Sequence, residues 1–199
     1  MRTCNLIRIM LLALLLAGGG CAHVPLMTMA KLVTFDMATA DPAILRVAAR
    51  TPAVLMPQPD GTLLTLALGP EAAADRRVDR FVLEQVNDSR ELDAVARLRR
   101  SDDRVFVYQL SRADVLRVGQ AQAQYRDLKQ RGERGRLSIG VSSKACRLGP
   151  LPAGAILTST YLKVSESDGY LPVLVDIDLR KELGDAAALV DQVPECAAR

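Results

Sequence analysis

Alternation near the C-terminus constrains this chain more than any other feature. Leu171, Val173, Val175, Ile177 and Leu179 fall on one side of an extended segment, while Asp176 and Asp178 fall on the other. That is the pattern of a strand with one buried and one wet face. The segment Ala155 to Val164 precedes it, and Ser-Glu-Ser-Asp-Gly joins the two. Asp-Gly supplies the positive φ of a tight reversal, so the pair predicts a hairpin in a one-sided antiparallel sheet.

Further strands are expected upstream. Leu45, Val47 and Ala49 alternate with Arg46, Ala48 and Arg50, and Leu64, Leu66 and Leu68 alternate with Leu63, Thr65 and Ala67. Pro57-Gln58-Pro59-Asp60-Gly61 between them reads as a turn, which makes these two runs a candidate hairpin. A helix over 42–50 competes for the first run, with Asp41 as N-cap and Pro42 at the first helical position. Val78 to Val86, Arg104 to Leu110 and Leu137 to Ser143 also read as strands. The second is apolar on both faces and so belongs in the interior of a sheet. One long helix is expected from Ser111 to about Arg131, with Val115, Val118, Ala121, Tyr125 and Leu128 on one side and Gly132 and Gly135 at its end. The expected fold is therefore mainly β, an antiparallel sandwich of about eight strands with one inserted amphipathic helix. An α+β sheet with two helices on one face is the alternative.

Composition bounds the function. The chain has 199 residues, 25% charged and 4% aromatic, with no Trp and a single histidine, His23. These values fit one globular domain plus a processed segment and exclude collagen-like, disordered and multi-span membrane classes. Of 26 basic side chains only Arg2 and Arg8 lie within residues 1–20, which contain no acid, so 24 basic face 23 acidic residues in the remainder. A nearly neutral domain lacks the concentrated basic surface of a nucleic-acid binder.

The N-terminus reads MRTCNLIRIMLLALLLAGGGC. Arg2 and Arg8 flank an apolar run from Ile9 to Ala17 that is too short to span a bilayer but right for a signal peptide. Gly19, Gly20 and Cys21 resemble the lipobox of bacterial lipoproteins, with Cys21 at the lipidated position; Gly18 stands where an aliphatic residue is commoner. The resemblance implies residues 1–20 as signal peptide and 21–30 as lipidated tether, and says nothing of the fold; the strand pattern makes 31–199 a single β-rich domain. The resemblance also implies anchoring through acyl chains on Cys21, and Ala22 leans toward the outer membrane, with the domain facing the periplasm.

Export bears on the cysteines. With Cys4 cleaved away and Cys21 acylated, Cys146 and Cys196 are the remaining pair in an oxidising compartment, and a disulfide between them is expected. It would bring the C-terminal tail beside the end of the Leu137 to Ser143 strand. Arg126, Lys129, Arg131, Arg134 and Arg136 form a basic run open to contact with anionic headgroups, or simply a solvated helix end. Glu166, Asp168, Asp176 and Asp178 surround the last hairpin, where a metal or a carboxylate-pair hydrolase is the functional reading and solubility the bland one.

No phosphate loop, His-Glu-x-x-His, Ser-x-x-Lys, Cys-x-x-Cys or Gly-x-Ser-x-Gly motif occurs. No catalytic residue, cofactor or metal is therefore expected. The expectation is an envelope-anchored, non-enzymatic binding or scaffolding module with an envelope protein partner. The alternatives are a periplasmic carrier of an apolar ligand and a carboxylate-dependent hydrolase.

Overall fold

A computed structural model describes residues 38–69, 77–133, 135–183 and 186–197, without the side chains of Arg136 and residues 186–188. The signal peptide, the tether and Cys21 lie outside the described residues, as does Arg134. Among the described residues, eight strands form two antiparallel sheets, accompanied by four α-helices.

The strands are β1 (Arg46–Pro52), β2 (Leu55–Gly69), β3 (Arg77–Val82), β4 (Glu84–Val86), β5 (Asp103–Gln109), β6 (Arg136–Arg147), β7 (Leu157–Lys163) and β8 (Leu171–Asp178). The helices are α1 (Ser89–Val95), α2 (Arg112–Gln130), α3 (Leu179–Glu182) and α4 (Ala186–Gln192). One sheet has the order β4-β5-β1-β7-β8 and the other β3-β2-β6. The chain passes from β3 to β4 through Leu83 alone. Its amide still donates to Thr62 O at 2.9 Å before β4 leaves to pair with β5.

Both faces of the five-stranded sheet are covered. Val47, Tyr108 and Leu162 pack in one cluster with Leu64, Leu66 and Phe81 of the smaller sheet and with Val118 and Ala121 of α2. On the opposite face, Ala48, Val107 and Tyr161 pack against Val95 of α1. A third cluster joins Leu55 and Ile156 to Leu189 and Val193 near the C-terminus.

Several local expectations are corrected. The single inserted helix becomes four; α1, α3 and α4 span two turns or fewer, too short for a periodic stripe to announce them. Of the alternative, the mixture of sheet and helices holds, but not the placement of two helices on one face: α1 and α2 pack on opposite faces of the five-stranded sheet. The proposed second helix over 42–50 is one turn: Asp41 caps Ala43 N at 2.9 Å, Ile44 N bonds Asp41 O, and β1 then begins at Arg46.

The hairpin across Pro57–Gly61 is also absent, because β1 and β2 belong to different sheets. Those residues instead form an outward excursion inside β2, which leaves β6 after Pro57 and rejoins it at Thr62. Asp60 does adopt a positive φ of 55°. Turn chemistry fixes a local dihedral and not the identity of the next partner. Gly61 is required there: a Cβ would stand 2.9 Å from Gln58 O and 3.1 Å from Lys144 O.

The single strand expected over Val78 to Val86 is two, β3 and β4, in different sheets, because the chain changes layer at Leu83. The one-sided alternation expected from Leu171 to Leu179 breaks at the register shifts of β8, so Leu174 is exposed, Asp176 and Asp178 are half-buried, and Leu179 opens α3. The remaining elements stand where expected. β5 lies inside its sheet, and β7 and β8 form the last hairpin, with register shifts near Thr158 and Thr160. α2 starts where Ser111 Oγ accepts from Asp114 N at 3.1 Å. It ends at Gly132, where φ is 72° and Glu133 N reaches back to Leu128 O.

Candidate functional site

β1 carries arginines at two positions, Arg46 and Arg50, on either side of the apolar run Val47 to Ala49. Arg46, Ala48 and Arg50 share the α1-side face, opposite Lys163, Tyr161 and Ser159 of β7. Ala48 and Tyr161 make the apolar centre of that face, and an ion-pair network stands at each end of it.

The first network gathers at Glu91. Asp88 caps α1 by accepting from Arg90 N and Glu91 N, which fixes Glu91 in the first turn above the sheet. Lys163 Nζ lies 3.1 Å from Glu91 Oε1 and 2.7 Å from Glu166 Oε2; Tyr170 donates its hydroxyl to Glu91 Oε2 at 2.7 Å. Arg46 Nε stands 3.7 Å away. These groups line an open cleft of about 900 Å³.

Burial works to raise the Glu91 carboxyl, but the bonds from Tyr170 and Lys163 and the charges of Lys163 and Arg46 outweigh it, holding the carboxyl below its ordinary range. Burial works to lower the Lys163 ammonium, and its bonds to Glu166 and Glu91 reverse that, so it stays charged. Tyr170 is pushed well up, first by burial and then by the adjoining carboxylate. An ionised acid, a charged amine and a neutral phenol hold no proton that moves near neutral pH. The cluster fastens α1 to β1, β7 and the start of β8.

The second network gathers at Asp176. Arg50, 5% exposed, bonds Asp176 and lies 2.8 Å from Ser159 Oγ and 3.3 Å from Asp103 Oδ2. Arg100 adds a bidentate contact to Asp176 at 3.1 and 3.0 Å. The bond from Arg100 is the main cause holding the Asp176 carboxyl below its ordinary range, with the charges of both guanidiniums acting the same way against a desolvation penalty. Asp176 sits at a positive φ of 53°.

The acidic residues of the last hairpin are thus divided among separate tasks. Asp178 caps α3 and accepts from Ile156 N at 3.1 Å, Glu166 pairs with Lys163, and Asp168 accepts from Ser165 Oγ within the connecting turn. Among the described residues, no group of three or more His, Cys, Asp or Glu is placed to hold a metal ion.

The basic run is partly used inside the fold. Arg126 donates to Ala38 O, Lys129 stands 5.6 Å over the Tyr125 ring, and Arg131 pairs with Glu133 at 2.7 Å. Cys146 and Cys196 are disulfide-bonded, with Cα atoms 4.9 Å apart. Cys146 lies within β6, which runs past the expected Ser143 limit to Arg147. The bond closes one wall of a second cleft, of about 790 Å³, with Met56, Pro57, Pro59 and Leu148 among its lining.

β6 also ends the smaller sheet. Its last residue is paired by the tail: Arg147 N donates to Pro194 O at 2.8 Å and Cys196 N to Arg147 O at 2.9 Å. From Leu137 to Ser143 no backbone hydrogen bond joins the outer side of β6 to another segment among the described residues.

Sequence reasoning missed Arg46, Arg50, Glu91, Lys163 and Tyr170. Two arginines four apart in a strand were a signal, as was Asp88 followed three residues later by Glu91, the spacing of a helix start. No helix of the described residues is long and apolar enough to cross a membrane. Comparison of the chain with protein-family models, with curated proteins and with solved structures finds no match in any of the three.

Proposed function

We propose that the chain is an envelope lipoprotein, anchored through acyl chains on Cys21 in the outer membrane and facing the periplasm. Its domain acts there as a non-enzymatic binding or scaffolding module for an envelope protein. In this reading the two sheets are the layers of an open sandwich, since Leu64, Leu66 and Phe81 share a core with Val47, Tyr108 and Leu162. The observation that supports a binding role is the unpaired edge of β6, in a domain whose clustered charges are otherwise answered internally.

A carrier of an apolar ligand is the second reading. The cleft beside the disulfide favours it, with Met56, Pro57, Pro59 and Leu148 in its walls. A carboxylate-dependent hydrolase draws less support, because Asp176 is held ionised by two guanidiniums and cannot supply a proton.

Fatty-acid labelling of wild type and Cys21→Ser, followed by purification from solubilised membranes, tests the main reading. The expected result is label and a stoichiometric envelope partner with wild type, and neither label nor membrane retention with the variant. Equal labelling of both would refute the anchor. Bound lipid seen by native mass spectrometry, without a protein partner, would transfer support to the carrier.

A further inference from the structure

We propose that the outer edge of β6, from Leu137 to Ser143, accepts an added strand from its envelope partner: an extended segment with apolar residues at alternate positions and carboxylates at its ends. This rests on the reading of the domain as a binding module and specifies how it binds.

The ladder's phase shows which backbone groups are free. Leu83 N donates to Thr62 O, so Thr62, and with it Leu64 and Leu66, turn their peptide groups toward β3. Leu63, Thr65 and Ala67 then bond β6 through Ser142, Gly140 and Ser138. By the same alternation Leu137, Ile139, Val141 and Ser143 aim their N–H and C=O groups away from β2. Arg147 is in phase with them, and its groups are the ones the tail takes up. The protein therefore already begins, at Arg147, the strand addition that the rest of the edge leaves undone.

The other sheet edges are protected. β4 is three residues long, β8 carries Pro172 and an irregular register, and β3 presents Arg77, Asp79 and Arg80. β6 has twelve residues and no proline, and Gly140 to Lys144 are exposed. The residues with free backbone groups direct their side chains to the same face as Leu64 and Leu66, where Val141 is 38% exposed. An added strand thus meets an apolar stripe on that face.

Charge selects the occupant. β6 contains Arg136, Lys144 and Arg147 and no acid; Arg147 is answered by Glu195 at 2.8 Å, which leaves Arg136 and Lys144 at the two ends of the open edge. A second copy paired antiparallel about Gly140 would set Arg136 against Lys144, and every register would crowd cations on one ribbon. A segment with terminal carboxylates complements the same strand.

The mature acylated chain in detergent micelles, titrated with the fluorescein-labelled peptide Asp-Val-Thr-Val-Thr-Val-Asp and followed by anisotropy, tests this. Wild type is expected to bind it, and a version methylated on alternate amide nitrogens is expected to bind at least about tenfold more weakly. Val141→Pro removes an outward N–H and leaves the β2 ladder intact, so it should cause a similar loss. Lys144→Glu should favour a Lys-ended peptide over the Asp-ended one. Equal binding of the methylated peptide, or none of the parent, overturns the proposal. Self-association abolished by Val141→Pro also overturns it and assigns the edge to a second copy. If Val141→Pro still purifies with its envelope partner, the module reading stands and the edge proposal falls.

Discussion

Asp176 shows how much of this fold depends on single side chains. It sits on an edge strand at a positive φ, yet it holds Arg50, whose side chain is 6% exposed. Replacing it with Asn leaves a buried guanidinium with only Asp103 as counter-charge. The expected cost is about 1–2 kcal/mol, below the 3–5 of a fully buried pair, because Asp103 remains and a third of the Asp176 side chain reaches water. The sign with pH follows from the depressed carboxyl. Its contribution is complete above the ordinary aspartate value of 3.8 and is lost as pH falls through the lower folded-state value. Urea unfolding should therefore show Asp176→Asn destabilised at neutral pH and converging on wild type as pH falls below 3.8. A constant difference across that range would mean that the variant acts through backbone strain and not charge.

Among the elements, legibility tracked length and locality. α2 could be read because nineteen residues carry a stripe and both ends are capped by neighbours in sequence. The β7–β8 hairpin could be read because its turn lies between its own strands. β1 and β2 could not be paired correctly, since the partners of β1 are β5 and β7, and nothing local in Arg46–Pro52 names them. The same holds for the site: Arg50 meets Asp176 across 126 positions, and Lys163 meets Glu91 across 72. The disulfide was legible for the opposite reason, since elimination left one pair. Its sequence separation of 50 corresponds to about 4 kcal/mol on the loop-entropy model. The Cys146→Ser/Cys196→Ser double variant should lose most of that in urea unfolding. A loss under about 1 kcal/mol would show instead that Leu189 and Val193, packed on Leu55 and Ile156, hold the tail unaided.

At the scale of the whole molecule the two sheets are interleaved along the chain. β1 belongs to the larger sheet, β2 and β3 to the smaller, β4 and β5 to the larger, β6 to the smaller, and β7 and β8 to the larger. Neither sheet can be cut out as a contiguous piece, so thermal unfolding followed by circular dichroism and by tyrosine fluorescence should give one coincident transition. Two separated transitions would mean that one sheet outlasts the other. The position of β1 has a consequence for how such a chain is handled while it is being made. Among the described strands, the one at the middle of the larger sheet is the first to be synthesised, yet its second neighbour begins at Leu157. Until that neighbour arrives the larger sheet stays open beside β1, although the smaller sheet β3-β2-β6 is already complete at Arg147. The larger sheet therefore closes last, and this order of strands delays the finished fold until the C-terminal hairpin is available.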